Sequence, residues 1–259
     1  MPGAAGRHRH RVRRGAAMNF DQRALRFCCA GSWLVGIVDV PERPIERGLL
    51  VVTDTAQYRV GGHRQFTLLS RTLAGRGIPV MRFDHRGCGD SEGEPRAFNA
   101  IGEDIRTAIG EFFMQMPELK EIVIWGLGHA AAAAVLYAHL DPCVRGLVLL
   151  NPNAGVPEPE PRTGGRQQYI GRLGELAFWK KAPRGDGAVP VADSLASFTG
   201  QALVVTGGGD GSTSDFIRLA GKHVLKYRHV EIPHAGHTFA SREWRDEVAR
   251  LTAHWVVTW

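Results

Sequence analysis

The sequence has few cysteines, no long apolar run and almost no net charge outside one short segment. The four cysteines, Cys28, Cys29, Cys88 and Cys143, form no C-x-x-C pair. Their scatter argues against a zinc site and a disulfide framework, and it fits a reducing compartment. No stretch approaches the roughly 18 apolar residues of a membrane-spanning helix, so the chain is expected to be cytoplasmic without a membrane span. The 259 residues carry a net charge of +6, but Arg7, Arg9, Arg11, Arg13 and Arg14 supply five of those charges. That leaves +1 for residues 18–259, so the pI of about 9.5 belongs mainly to the first 17 residues. These lack the apolar stretch of a secretory signal. They read as a disordered basic tail, or as a stretch ahead of a true start at Met18, and nucleic acid is not an expected partner.

What is present is ordinary globular composition, 44% hydrophobic and 22% charged, in a chain long enough to bury a sizeable core as one domain. Leu25–Ala30 and Trp33–Val40 read as an antiparallel pair around a Gly31-Ser32 turn. Gly48–Thr53 is an apolar run of the kind buried on both faces. Helical spacing follows over 62–76, then a strand over Ile78–Phe83 and a helix over Phe98–Met116 bearing Ile101, Ile105, Ile109 and Phe112 on one face. Ile122–Trp125 and Arg145–Leu150 read as strands around an alanine-rich helix, Ala130–Leu140. After Asn151 the rhythm breaks into proline-rich sequence, with a helical segment near Gln167–Lys181, and 152–198 reads as a cap insertion. Gln201–Thr206 and Tyr227–Ile232 resume the strands, and Arg242–Trp259 closes the chain as an amphipathic helix. Strands alternating with helices imply an α/β class with a mostly parallel sheet flanked by helices. Ligands in such sheets sit beyond the carboxyl ends of the strands.

One strand end stands out. Trp125-Gly126-Leu127-Gly128-His129-Ala130-Ala131 joins an apolar strand to a helix in the manner of a nucleophile elbow, G-x-S-x-G. The turn is too tight for side chains two positions before and after its centre, and Gly126 and Ala130 meet that demand. The centre should carry Ser, Cys or Asp, and here it carries Gly128. A glycine-rich strand–helix junction without chemistry would read the same way. Further along, Asp210 follows one strand and His237 the next, the acid-then-base order of this architecture. An imidazole so placed exchanges protons, and a carboxylate on its other nitrogen fixes its tautomer. Asp210 also reads as a cap for the helix that follows, and His234 is the alternative base. Gln57, after Gly48–Thr53, and His129 are candidates for the oxyanion-hole amides. Cys88 and Ser91 lie in R-G-C-G-D-S-E-G, which reads foremost as a glycine turn whose polar groups bond backbone.

From about Met18 to Trp259 the sequence resembles the exosortase A system-associated hydrolase 1 family of the α/β hydrolases. The resemblance rests on Q-Y-R-V-G-G-H-R-Q-F (57–66), G-I-P-V-M-R-F-D-H-R-G-C-G-D-S-E-G (77–93), W-G-L (125–127), G-L-V-L-L-N-P (146–152) and H-T-F (237–239), with F-W-K (178–180) and the G-G-D at 208–210. It implies an α/β-hydrolase fold with a small cap, and hydrolysis of an ester, thioester or amide by an elbow nucleophile with His237 and Asp210. It implies no cofactor and no metal, a small acyl-type substrate or ligand, and a functional link to an exosortase and exopolysaccharide system. The family elbow reads like W-G-L-C-D-x-A-S, so Gly128 replaces a cysteine and His129 an aspartate. A family G-G-P-Q-Y-R becomes D-T-A-Q-Y-R at 54–59. Deleting a triad nucleophile costs about 10⁶ in kcat, roughly 8 kcal/mol of barrier. The sequence therefore admits two functions: a hydrolase that works without an elbow nucleophile, or a pseudo-hydrolase that binds a ligand or protein partner.

Overall fold

A computed structural model describes residues 19–54, 57–153, 191–210, 213–222 and 226–259. The basic tail 1–17, the helix expected near Gln167–Lys181 and most of the 152–198 insertion lie outside the described residues.

The chain opens as a hairpin of β1 (Phe20–Cys29) and β2 (Ser32–Pro41). Its two-residue turn is Ala30-Gly31, with φ of 45° and 82°, both left-handed as a type I′ turn requires. The turn therefore stands one residue before the Gly31-Ser32 expected from sequence, and Ser32 already pairs with Cys29. Then come β3 (Arg47–Val51), α1 (Gln65–Ala74), β4 (Val80–Asp84), α2 (Gly102–Gln115), β5 (Glu121–Leu127), α3 (His129–Ala138) and β6 (Val144–Leu150). A 3₁₀ turn at Phe98–Ala100 precedes α2, so the helix expected to start at Phe98 starts at Gly102. The chain ends through α4 (Val191–Ser197), β7 (Gln201–Gly207), α5 (Ser214–Lys222), β8 (Lys226–Ile232) and α6 (Arg242–Thr258).

The strands form one sheet in the order β1-β2-β4-β3-β5-β6-β7-β8. β1–β2 and β2–β4 are antiparallel, and every later pair is parallel. Period-2 alternation sends the side chains of each central strand to two separate cores. On β5, Ile122 and Ile124 join one core with Ile105, Phe112 and the alanines of α3. Val123 and Trp125 join the other with Phe66, Leu73 and Trp255. Ala130–Ala134 are all buried, and their small side chains let α3 lie close to the sheet.

Val191 and Leu195 of α4 are buried in the first core, and α4 packs on α3. The end of the 152–198 stretch is thus packed against the body of the domain. Among the described residues no helix is long and apolar enough to cross a membrane.

Candidate active site

The elbow exists as a shape. β5 ends at Leu127, α3 starts at His129, and Gly128 between them has φ 61° and ψ −120°. This is a region that side chains rarely occupy and glycine occupies at little cost. The Gly128 N–H donates to the Leu150 carbonyl at 2.9 Å, and its carbonyl accepts from the Ala131 N–H at 3.2 Å. At Gly126 a Cβ would stand 2.6 Å from the Ala130 carbonyl oxygen. The turn therefore excludes any side chain two residues before its centre, as expected from sequence.

Asp210 lies in the loop after β7 and His237 in the loop after β8. His237 Nδ1 is 2.7 Å from Asp210 Oδ2. A carboxylate at that distance holds the proton on Nδ1 and leaves the Nε2 lone pair outward. Nε2 in turn lies 3.1 Å from the point where a Cβ on Gly128 would stand. Among the described residues, and apart from the chain neighbours of Gly128, only the ring's Nε2 and Cε1 come within 4 Å of that point. The Asp210 side chain is 8% exposed and that of His237 is 47% exposed, so solvent reaches the imidazole but barely its partner carboxylate. His234 sits at φ 60° and is exposed; the Asp210 carboxylate bonds His237. α5 begins four residues beyond Asp210.

The opposite wall differs from what the sequence suggested. The Gln57 N–H donates to the Asp54 carbonyl at 2.9 Å, and its side-chain oxygen accepts from Gln65 Nε2 at 3.4 Å. Gln57 is thus committed within its own loop, while residues 55 and 56 lie outside the described residues. His129 heads α3, where first-turn amides lack intrahelical partners. Its ring meets Phe98 with centroids 5.6 Å apart, and its Nδ1 is 3.4 Å from Asp54 Oδ2. A second histidine–carboxylate contact therefore joins the end of β3 to the start of α3. Sequence reading missed it because Asp54 and His129 are 75 positions apart and meet only through the parallel pairing of β3 with β5.

The R-G-C-G-D-S-E-G loop is a turn built on Asp84. That carboxylate accepts from the Arg59 N–H (2.6 Å) and the Asp90 N–H (3.0 Å), and it pairs with the Arg59 guanidinium. Ser91 Oγ donates to the Asp84 carbonyl (2.6 Å) and accepts from the Val35 N–H (2.9 Å), so both its bonding directions are taken. Cys88 is buried, and burial, with the charges of Asp84, Asp54 and Asp104 behind it, pushes its thiol up to about 12. Neither residue is placed to replace the elbow nucleophile. Among the described residues no group of three or more His, Cys, Asp or Glu is set to hold a metal ion.

The fold has solved counterparts. A ferulic-acid-bound Est1E from Butyrivibrio proteoclasticus superposes with a TM-score of 0.68, at 16% identity over 90% of this chain and 98% of the other. A dienelactone hydrolase from Anabaena variabilis gives 0.68, at 15% identity over 91% and 96%. The chain has the α/β-hydrolase fold. The same α/β-hydrolase architecture relates it to a proline iminopeptidase from Mycobacterium smegmatis, with a TM-score of 0.67 at 15% identity over 90% and 97% of the two chains. The family described as Hydrolase_4, serine aminopeptidase S33, matches residues 62–184, just under half of the chain. A thiohydrolase, apmlB, of Arthrinium phaeospermum is 37% identical over 99 residues, 36% of this chain. That match spans only 32% of the thiohydrolase's length.

Proposed function

We propose that this protein is a slow hydrolase of activated acyl compounds, thioesters foremost, in which His237 activates water directly. The observation that carries this reading is the aim of His237. Its Nδ1 is held by Asp210, and its Nε2 points at the space beside Gly128 that a nucleophile would fill. In the proposed step a water in that space gives a proton to Nε2 as its oxygen bonds to the acyl carbon. The leaving thiolate or alkoxide then takes the proton back from His237 as its bond to carbon breaks. The Nδ1 proton stays on His237 throughout, donated to the Asp210 carboxylate, whose charge stabilises the imidazolium formed in between. The likeness to a thiohydrolase supports the thioester, whose leaving group departs without strong acid assistance. Without a covalent step, general-base catalysis by His237 gives an expected acceleration of about 10²–10⁴ over water.

A second reading has its own observation. Asp54 brings a carboxylate to the wall where amides would stabilise an oxyanion, and Gln57 is tied to the same loop. This favours a pseudo-hydrolase that binds an acyl-type ligand or a partner protein without turning it over. Assays with p-nitrophenyl esters and acyl thioesters separate the two. Turnover by the natural sequence supports direct water activation; turnover only after Gly128→Cys supports the binding protein. We further propose a cytoplasmic role beside an exosortase and exopolysaccharide system, on the strength of the sequence motifs that resemble that hydrolase family.

A further inference from the structure

A buried asparagine, Asn151, lies against the loop of His237. It follows β6, is fully buried and holds a left-handed backbone with φ 37°. Asparagine tolerates that conformation better than most residues with a side chain. All three of its described bonds reach other segments. Its N–H donates to the Val205 carbonyl at 2.9 Å, and its Oδ1 accepts from the Gly207 N–H at 2.8 Å. Its Nδ2 donates to the His237 carbonyl at 2.8 Å.

These bonds join the two loops that carry Asp210 and His237. The Gly207 carbonyl accepts from the Asp210 N–H at 2.9 Å, so the Gly207 peptides on either side link Asn151 to the acid. The His237 carbonyl links it to the base. We propose that Asn151 is a positioning residue that fixes the spacing of Asp210 and His237, and with it the tautomer and aim of the imidazole. The proposal rests on the assignment of His237 as the base. The carboxamide does both jobs through separate atoms: the oxygen serves the Gly207 donor and the nitrogen serves the His237 acceptor. An aspartate of the same shape keeps the first bond and sets an oxygen against the His237 carbonyl.

Nitrogen-15 long-range NMR of the His237 ring tests this, at a pH where the imidazole is neutral. It reads the ring directly, so an inactive protein still gives an answer and failure of the hydrolase reading stays separate. The natural sequence should show the Nδ1-protonated tautomer. Asn151→Asp should raise the Nε2-protonated tautomer at least tenfold, and so should Asn151→Gly, which keeps the backbone free to adopt φ 37°. If the enzyme turns over, kcat should fall about tenfold in both variants with KM little changed. An unaltered His237 tautomer in either folded variant overturns the proposal. Hydrogen exchange on the natural protein gives a check that needs no variant. The Asn151 carboxamide protons should exchange at least tenfold more slowly than those of an exposed asparagine, and rates equal to an exposed side chain would contradict the role.

Discussion

His237 Nε2 lies 3.1 Å from the point at which Gly128 would carry a Cβ. The ring is aimed at a side chain the protein does not have. A serine or cysteine at 128 would need the imidazole to move back by a few tenths of an ångström, because 3.1 Å is tight for a Cβ contact. It would also hold a side chain at φ 61°, which costs of order 1–3 kcal/mol.

Gly128→Cys should therefore lower the melting temperature by several degrees, on a scale of about 2–4 °C per kcal/mol for a chain of this size. It should also introduce a burst of released p-nitrophenol close to one equivalent, from an acyl-enzyme. Calorimetry and stopped-flow absorbance check the two halves. A burst without destabilisation would show that the elbow is less strained than its dihedral angles imply.

Asp210→Asn leaves a hydrogen-bonding side chain at nearly the same place but removes the charge that stabilises the imidazolium. Turnover should fall about 10²–10⁴-fold, with the melting temperature close to that of the parent. Steady-state kinetics beside thermal unfolding measure both.

Cys88 should not react under native conditions. Its thiol is pushed up to about 12 from 9.0 by burial, so at pH 8 the thiolate fraction drops from about one in ten to about one in 10⁴. Iodoacetamide followed by peptide mass mapping should label exposed Cys28 and spare Cys88. The same shift has a stability consequence. The folded thiol keeps its proton to higher pH than the unfolded one, so its contribution is complete below about pH 9 and is lost as pH rises toward 12.

Asp104 should be a costly carboxylate to remove. It is fully buried and accepts from Arg86 at the backbone N–H, Nε and Nη2, each at 2.9 Å. Among the described residues, Asp104→Ala leaves the buried Arg86 charge paired with the partly exposed Glu103. A loss of about 3–5 kcal/mol in a urea titration is expected.

The parts of this account legible in the sequence were those written in local pattern. The elbow was visible because a tight turn permits only small residues at 126 and 130, whatever stands at 128. Asp210 and His237 were visible because each follows an apolar strand run. What escaped depended on contacts between distant segments. Nothing local says that Asn151 binds the carbonyl of His237, 86 positions away, or that Asp54 turns toward His129. The hairpin turn was misplaced by one residue because Ala30, which sequence gives no reason to place at positive φ, adopts it beside Gly31. Gln57 was a reasonable oxyanion donor by position, yet its amide is used by the Asp54 carbonyl inside the loop.

In the proposed mechanism His237 activates water where the fold would ordinarily supply a nucleophile. The most direct measurement is the rate of acyl-thioester hydrolysis by the natural sequence and by His237→Ala, with intact-mass spectra taken during turnover. Slow but saturable hydrolysis is expected, lost in His237→Ala, with no acyl group attached to the protein at any time. Hydrolysis unchanged by His237→Ala, or an acyl adduct on the natural protein, would contradict it.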